Sequence, residues 1–350
     1  MALNPLYTFD TLPTTSAAAI REFNERYLAA IGASQPNGWA DAIGELIPTS
    51  APKVTFPISQ LRTLYKRTEG ESRFKYLREA SFDIETEEFD DGYEANLMDL
   101  FLQTFSYRNW QKAPGRLVLA EEQFRHTSIA SLLSNGTTKA CVDGKNFFAT
   151  NHPANMTDTT ITSTWSNYQS SAKNVLGSSA TGNTGTFSTD LLQAEVISMQ
   201  TQVLDENGLL LGVDPDTILV PSDYYEPLKN GLMNDRLLQL VTNATSNDVA
   251  AAAVENVYKG RFNVIPVKEF SLASGTTADW YLIDSKLVKS GVAPWITMRQ
   301  TVPGSLALRV FDESSDFFKL TGKIRMSSHV WYGFSVGLPH GIRRITGPTR

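Results

Sequence analysis

The stretch Leu133-Ser134-Asn135-Gly136-Thr137-Thr138-Lys139-Ala140-Cys141-Val142-Asp143-Gly144-Lys145-Asn146-Phe147-Phe148-Ala149-Thr150-Asn151-His152-Pro153 holds three structural signals in a row. Asn135-Gly136 is a helix stop, because both residues tolerate the left-handed turn that closes a helix. Cys141 to Phe148 then reads as a tight hairpin around Asp-Gly-Lys-Asn. From Asn151 to Gly185 the chain is rich in Thr, Ser, Asn and Gly, which predicts a long, polar, weakly structured connection. Upstream of the stop, Pro114 sits where a helix can begin without losing a hydrogen bond. Leu117, Ala120 and Phe124 share one face, and Ile129, Leu132 and Leu133 continue it, so the spacing predicts a helix over 114–134.

Further toward the N-terminus, carboxylates cluster at Glu85, Glu87, Glu88, Asp90 and Asp91. They lack the spacing of a calcium-binding loop and read as the solvated edge of a strand followed by a turn at Asp90-Asp91-Gly92. Val54, Phe56 and Ile58 alternate with polar residues, as do Phe82 and Ile84, so both runs have the period of strands. Between them, Tyr65 to Glu79 interleaves Lys66, Arg67, Glu69, Glu71, Arg73, Lys75 and Arg78 with few aliphatic residues. That composition describes a two-stranded excursion with a charged tip, which either binds a partner through opposite charge or is a solvated loop. Residues 1–50 hold one amphipathic helix whose stripe is Ile20, Phe23, Tyr27 and Ile31, ended by Gly32. It must dock on its own chain or on a neighbour.

After the polar connection, helix and strand alternate. Ser188 or Asp190 caps a helix with the stripe Leu192, Val196, Met199 and Val203, stopped at Asn207-Gly208. Thr217 to Val220, Asn263 to Val267 and Trp280 to Ile283 read as strands, and Pro221-Ser222 starts another helical stretch. Phe317 to Val336 reads as an antiparallel pair. Arg343 and Arg344 read as a solvated terminus. These segments together predict an α+β protein.

Composition narrows the function. The chain has 350 residues and only 19% charged residues against 41% hydrophobic ones, a surface suited to packing against copies of itself. A secreted β-protein suits the same composition. The net charge of −6 argues against a tight, delocalised grip on phosphates. The single cysteine, Cys141, cannot form a disulfide within the chain and reads as a small buried residue. No segment approaches the ~20 apolar residues of a membrane span, and Met1 to Pro5 lacks the features of a signal peptide. Phosphate-binding glycine loops, zinc-protease and nucleophile-elbow motifs are absent from the sequence. None of His126, His152, His329 and His340 lies within four residues of another. A metal or acid/base role for His152 reads as less fitting than a packed ring. No catalytic, cofactor-binding or metal-binding residues are assigned.

The quoted stretch resembles the Mu-like major head subunit family of tailed bacteriophages, which carries a similar helix end, "Asp-Gly", an aromatic pair and a closing "Asp/Asn-His-Pro". Leu204-Asp205-Glu206-Asn207-Gly208 with Leu211 to Asp216, Lys259 to Val264, Asp279 to Ile283 and Tyr332-Gly333 are similar to that family in the same order. The resemblance implies an HK97-type capsid fold. It assigns residues 1–52 to an N-terminal arm, 53–89 to an extended loop over a neighbouring subunit and 90–187 to a peripheral domain with a spine helix near 114–134. Residues 188–310 would form an axial domain, and 311–350 would be strands returning to the peripheral domain. It implies a non-enzymatic virion protein, assembled in the bacterial host cytoplasm as hexamers and pentamers of an icosahedral shell around double-stranded DNA. Partners would be further copies, a scaffolding protein, a portal and a decoration protein, with no sequence-specific DNA contact and no membrane. Ile20, Phe23, Tyr27, Lys66, Arg67, Glu69, Glu71, Arg73, Lys75 and Arg78 are the candidate inter-subunit contacts. Met1 is expected to be retained, without scaffold cleavage, and Lys66 or Lys75 is not expected to crosslink. The alternatives are an encapsulin-like nanocompartment shell and a soluble hydrolase with a dispersed site.

Overall fold

The computed structural model describes residues 16–33, 38–58, 80–102, 104–156, 158–171, 189–242, 249–271, 278–300 and 308–347. In chain order these form α1 (Ser16–Ala33), α2 (Trp39–Ile43), β1 (Glu45–Thr49), β2 (Lys53–Ile58), β3 (Ala80–Glu85), β4 (Glu87–Asn96), α3 (Leu97–Leu102) and α4 (Thr104–Ser134). Next come β5 (His152–Pro153), β6 (Thr164–Trp165), β7 (Tyr168–Gln169), α5 (Thr189–Gln202), β8 (Thr217–Pro221), α6 (Ser222–Met233), β9 (Arg236–Thr242) and β10 (Val249–Glu255). The chain continues through β11 (Asn263–Val267), β12 (Trp280–Ile283), α7 (Ser285–Lys289), β13 (Trp295–Gln300), β14 (Leu308–Phe311), α8 (Asp316–Thr321), β15 (Lys323–Val336) and β16 (Ile342–Ile345). The result is an α+β protein built on two five-stranded sheets. Among the described residues, no helix is long and apolar enough to cross a membrane.

The first sheet is organised by β15. One edge pairs with β4 from Lys323↔Asn96 to Tyr332↔Glu87. The other edge takes β14 beside its first half and β13 beside its second, and β1 then pairs in parallel with β13. Alternation explains why one long strand can serve both edges. Ile324, Met326, Ser328 and Tyr332 are buried on one face, with Arg325, Ser327 and Trp331 of opposite phase more exposed. The second sheet runs β11-β8-β12-β16-β7. Its central strands β8, β12 and β16 are buried at every position, as expected of a sheet covered on both faces. Sheet membership crosses position 310, because β13 lies in the first sheet and β16 in the second.

α4 joins the two sheets. At ~1.5 Å per residue its 31 residues span about 46 Å. Its first half packs Trp110, Ala113 and Leu117 against Ala19, Phe23 and Tyr27 of α1 and Ile324 and Met326 of β15. Its last turns place Ile129, Leu132 and Leu133 among Phe147, Phe148, Tyr281 and Trp295, a cluster that draws on both sheets. A third cluster places Leu192, Val196, Met199 and Val203 against β8, α6 and β12.

Four local expectations are corrected. The long helix begins ten residues before Pro114, which lies inside it. An interior proline forfeits one backbone bond and costs ~3 kcal/mol. Burial of Tyr107, Trp110 and Ala113 ahead of it offsets that loss. Asp90-Asp91-Gly92 is not a turn but the middle of β4, where a Cβ on Gly92 would stand 2.7 Å from the Met326 carbonyl oxygen. Phe317 to Val336 is a short helix followed by one strand, not a strand pair. Ser315 caps α8 by accepting from the Phe318 N–H at 3.2 Å, and Gly322 ends it at φ +67°. Finally, the connection after Asn151 is packed at its start, with His152, Ala154, Trp165 and Asn167 buried. Residues 172–188 lie outside the described residues.

Other expectations hold. β2 and β3 pair antiparallel from Lys53↔Glu85 to Ile58↔Ala80. The helix expected after Ser188 and the strands at 217, 263 and 280 are present, although α5 ends at Gln202, short of the expected stop, and Asn207-Gly208 closes a separate turn with Gly208 at φ +76°.

Candidate functional site

The Asp-Gly and His-Pro ends of the 133–153 stretch meet in space. The hairpin closes with Cys141 N–H donating to the Lys145 carbonyl at 2.7 Å, and Gly144 takes φ +75°. This turn aims Asp143 at the fully buried ring of His152, with Oδ2 2.5 Å from Nδ1. The other ring nitrogen lies 3.0 Å from Asn167 Oδ1, which also accepts from the Ala149 N–H. Asn167 Nδ2 donates to the Phe147 carbonyl at 2.8 Å. Each ring nitrogen of His152 thus lies within hydrogen-bond distance of a side-chain oxygen, and the ring is tied at both ends. Burial by itself would raise the Asp143 carboxyl, but the hydrogen bond and charge of His152 outweigh it and hold the group below its ordinary value.

Trp165 stacks on His152 at 4.7 Å between ring centroids, and the His340 ring lies 4.6 Å from the Trp165 ring. Burial, then the neighbouring His152, push His340 down to about 3, against the opposing pull of Asp143. The Cys141 thiol is pushed up to about 12, chiefly by burial. A buried thiol of that kind is no nucleophile at neutral pH. The cluster locks three chain segments together. Among the described residues, no group of three or more His, Cys, Asp or Glu could hold a metal ion. Of its members, the sequence reading weighed His152 and Asp143. It missed Asn167, Trp165 and His340, although a tryptophan within a Ser/Thr-rich run was a signal that the run is anchored.

Arg343 and Arg344 are not a solvated terminus. They are 3% and 8% exposed. Arg343 Nε donates to Glu195 at 3.0 Å, and Arg344 Nε donates to Asp279 at 3.0 Å. The acidic stretch is the solvated edge its sequence suggests, since among the described residues β4 pairs only with β15 and Glu87, Glu88, Asp90, Asp91 and Glu94 are exposed, and two of its carboxylates also form surface pairs. Glu88 meets Arg309 at 3.2 Å and His329 at 2.8 Å, and Glu94 meets Lys323 and Arg325, both at 2.8 Å.

The candidate contact residues divide. Phe23 and Tyr27 are buried within the chain, where Phe23 packs on Trp110 with ring centroids 5.0 Å apart and Tyr27 Oη lies 2.5 Å from Ser328 Oγ. Phe23 and Tyr27 of the α1 stripe thus dock on its own body, and Ile20 remains half-buried. Lys66, Arg67, Glu69, Glu71, Arg73, Lys75 and Arg78 lie outside the described residues. Beside α1, a groove of about 350 Å³ runs between β4 and α4, with Phe89, Leu117 and Phe124 in its lining and Glu88, Asp90, Asp91 and Glu121 among them.

Solved structures with similar coordinates are shell proteins. They include the procapsid of bacteriophage JBD30 (14% identity, covering 94% of this chain and 74% of that one, TM-score 0.49). The capsid of cyanophage P-SCSP1u matches at 12% identity, covering 87% and 86%, with a TM-score of 0.48. The SrpI encapsulin of Synechococcus elongatus matches at 10%, covering 99% and 96%, with a TM-score of 0.43. All three scores fall below 0.5, so membership rests on sequence. No curated protein matches the chain. The Mu-like prophage major head subunit gpT family matches residues 17–178. The phage capsid protein family matches residues 103–345, more than half of the chain, from the long helix to the last strand of the second sheet. The chain belongs to the phage capsid protein family.

Proposed function

We propose that this chain is the major head subunit of a tailed bacteriophage, an HK97-type protein that self-assembles into an icosahedral shell enclosing double-stranded DNA. The observation that carries the reading is the family match over residues 103–345. Membership of a shell-protein family supports a structural rather than an enzymatic role. In this reading residues 53–89 are the loop that reaches over a neighbour, and the charged tip from Lys66 to Arg78 sets register through complementary charge. Hexamers and pentamers close the shell by repeating modest interfaces, a separate scaffolding protein guides them, and a portal occupies one vertex. The net charge of −6 suits a shell that encloses DNA without gripping it.

Electron microscopy of the full chain, expressed with a scaffolding protein from the same genome, tests the reading. Closed icosahedral particles are the expected result. Small oligomers that persist under these conditions would overturn it, and so would particles that enclose a cellular protein cargo and no DNA during infection.

A further inference from the structure

Ser327 and His329 stand two residues apart on β15. They alternate with Met326 and Ser328, which face α1 and α4, so both project from the opposite face of the first sheet. There Ser327 Oγ lies 2.8 Å from His329 Nε2, and Glu88 Oε1 of β4 lies 2.8 Å from Nδ1 of the same ring. Arg309 of β14, the register partner of Ser327, donates to that Glu88 oxygen at 3.2 Å. Three adjacent strands thus bring a hydroxyl, an imidazole and a carboxylate into one hydrogen-bonded line. That order is the one in which a serine is activated by a histidine held by an acid.

Exposure falls in the order a nucleophile needs. The His329 side chain is 7% exposed, whereas Ser327 is half-buried and keeps part of its surface in solvent. The Asp143–His152 pair differs in this respect, since its second ring nitrogen faces the Asn167 amide and not a hydroxyl. With Glu88 ionised, Nδ1 donates to it, and Nε2 is the nitrogen that can take the Ser327 proton. Arg325 precedes Ser327 by two residues on the same face and lies 4.2 Å from the centre of the Phe317 ring. Arg309 and Arg325 therefore flank the hydroxyl with positive charge.

We propose that Ser327 is an activated nucleophile that takes the acyl group of small esters with a good leaving group, with His329 as its general base and Glu88 as the residue that positions the ring. The Ser327 oxygen bonds to the ester carbonyl carbon while its proton passes to His329 Nε2. The bond to the leaving alcohol then breaks, and the proton goes to that alcohol. Water attacks the acyl-serine by the same route, which releases the acid and restores the hydroxyl. The two guanidiniums supply the field that stabilises negative charge on the attacked carbonyl oxygen. All of these groups belong to one subunit, so the activity stands beside the structural role and does not depend on shell assembly.

The test is a fluorophosphonate probe applied to the full chain, with the adduct located by peptide mapping. The expected result is an adduct on Ser327 that is lost in Ser327→Ala. His329→Gln should slow the labelling about 100-fold, the scale of a positioned general base. Because that variant replaces a buried ring, Glu88→Gln is measured in parallel. The Glu88 side chain is 43% exposed, and its replacement leaves the core intact. It should slow the labelling about tenfold or more, through loss of a hydrogen bond to a charged group. A natural chain with no adduct on Ser327 would overturn the proposal. An unchanged labelling rate in Glu88→Gln, with an unchanged circular dichroism spectrum, would show a plain surface hydroxyl and overturn it as well.

Discussion

Lowering the pH from 7 to 5 should weaken the folded subunit by about 2 kcal/mol through one ring, His340. The ring is 5% exposed, its Nδ1 has no hydrogen-bond partner, and it sits in the turn between β15 and β16 with Trp165 on one side. The charged groups that act on it are His152, which opposes its protonation, and Asp143, which favours it. Its folded value of about 3 lies below the ordinary 6.5, so the unfolded chain takes up the proton first. Stability is therefore fully present above pH 6.5 and declines as the pH falls toward 3. At pH 5 the gap to 6.5 is about 1.5 units, and at ~1.4 kcal/mol per unit that is about 2 kcal/mol. Asp143 shifts in the depressed direction, and its contribution disappears only below about pH 4, outside this window. The assay is urea unfolding followed by tryptophan fluorescence at pH 7 and pH 5, for the natural chain and for His340→Leu. The natural chain should lose about 2 kcal/mol more than the variant between the two pH values. Equal losses in the two chains would refute the reasoning, since the variant has no ring to protonate.

Three further outcomes follow from packing and charge. Phe23→Ala should cost about 3–5 kcal/mol in urea unfolding, because Phe23 is fully buried between α1 and α4. Gly92→Ala should lower the thermal midpoint by an amount worth about 1–3 kcal/mol, since its Cβ would press on the backbone of β15 at Met326. A near-neutral result would mean that the two strands separate there more easily than their register suggests. Arg344→Leu should cost about 3–5 kcal/mol by stranding the buried Asp279, whereas Arg344→Leu with Asp279→Leu should recover most of that loss. Additive losses in the double variant would show that packing, and not charge, carries the cost.

Elements whose signal is local were legible in the sequence. Leu192, Val196 and Met199 of α5, with Val203 just after its end, are buried as their period implies, and the strands at 217, 263 and 280 lie where their apolar runs stand. The Asp-Gly turn at 143 and the β2–β3 pairing were equally readable. Errors arose where local rules met a distant partner. Pro114 looked like a helix start because, within its own window, proline has no cheaper place. The α1 face that covers Trp110 and carries the helix through it lies far back in the chain. Asp90-Asp91-Gly92 looked like a turn because only the approach of β15 gives that glycine another use.

The sequence alone determined the periodicity, the helix stop at Asn135-Gly136, the capsid-family motifs and their order, because these depend on neighbours a few positions away. The tertiary structure alone decided which charges leave water. Arg343 reaches Glu195, Arg344 reaches Asp279, and Asp143 and His152 meet Asn167 beneath Trp165 and His340. A charged side chain looks the same in a sequence whether it is solvated or buried. Only the fold supplies the opposite charge and the hydrogen bonds that make burial tolerable.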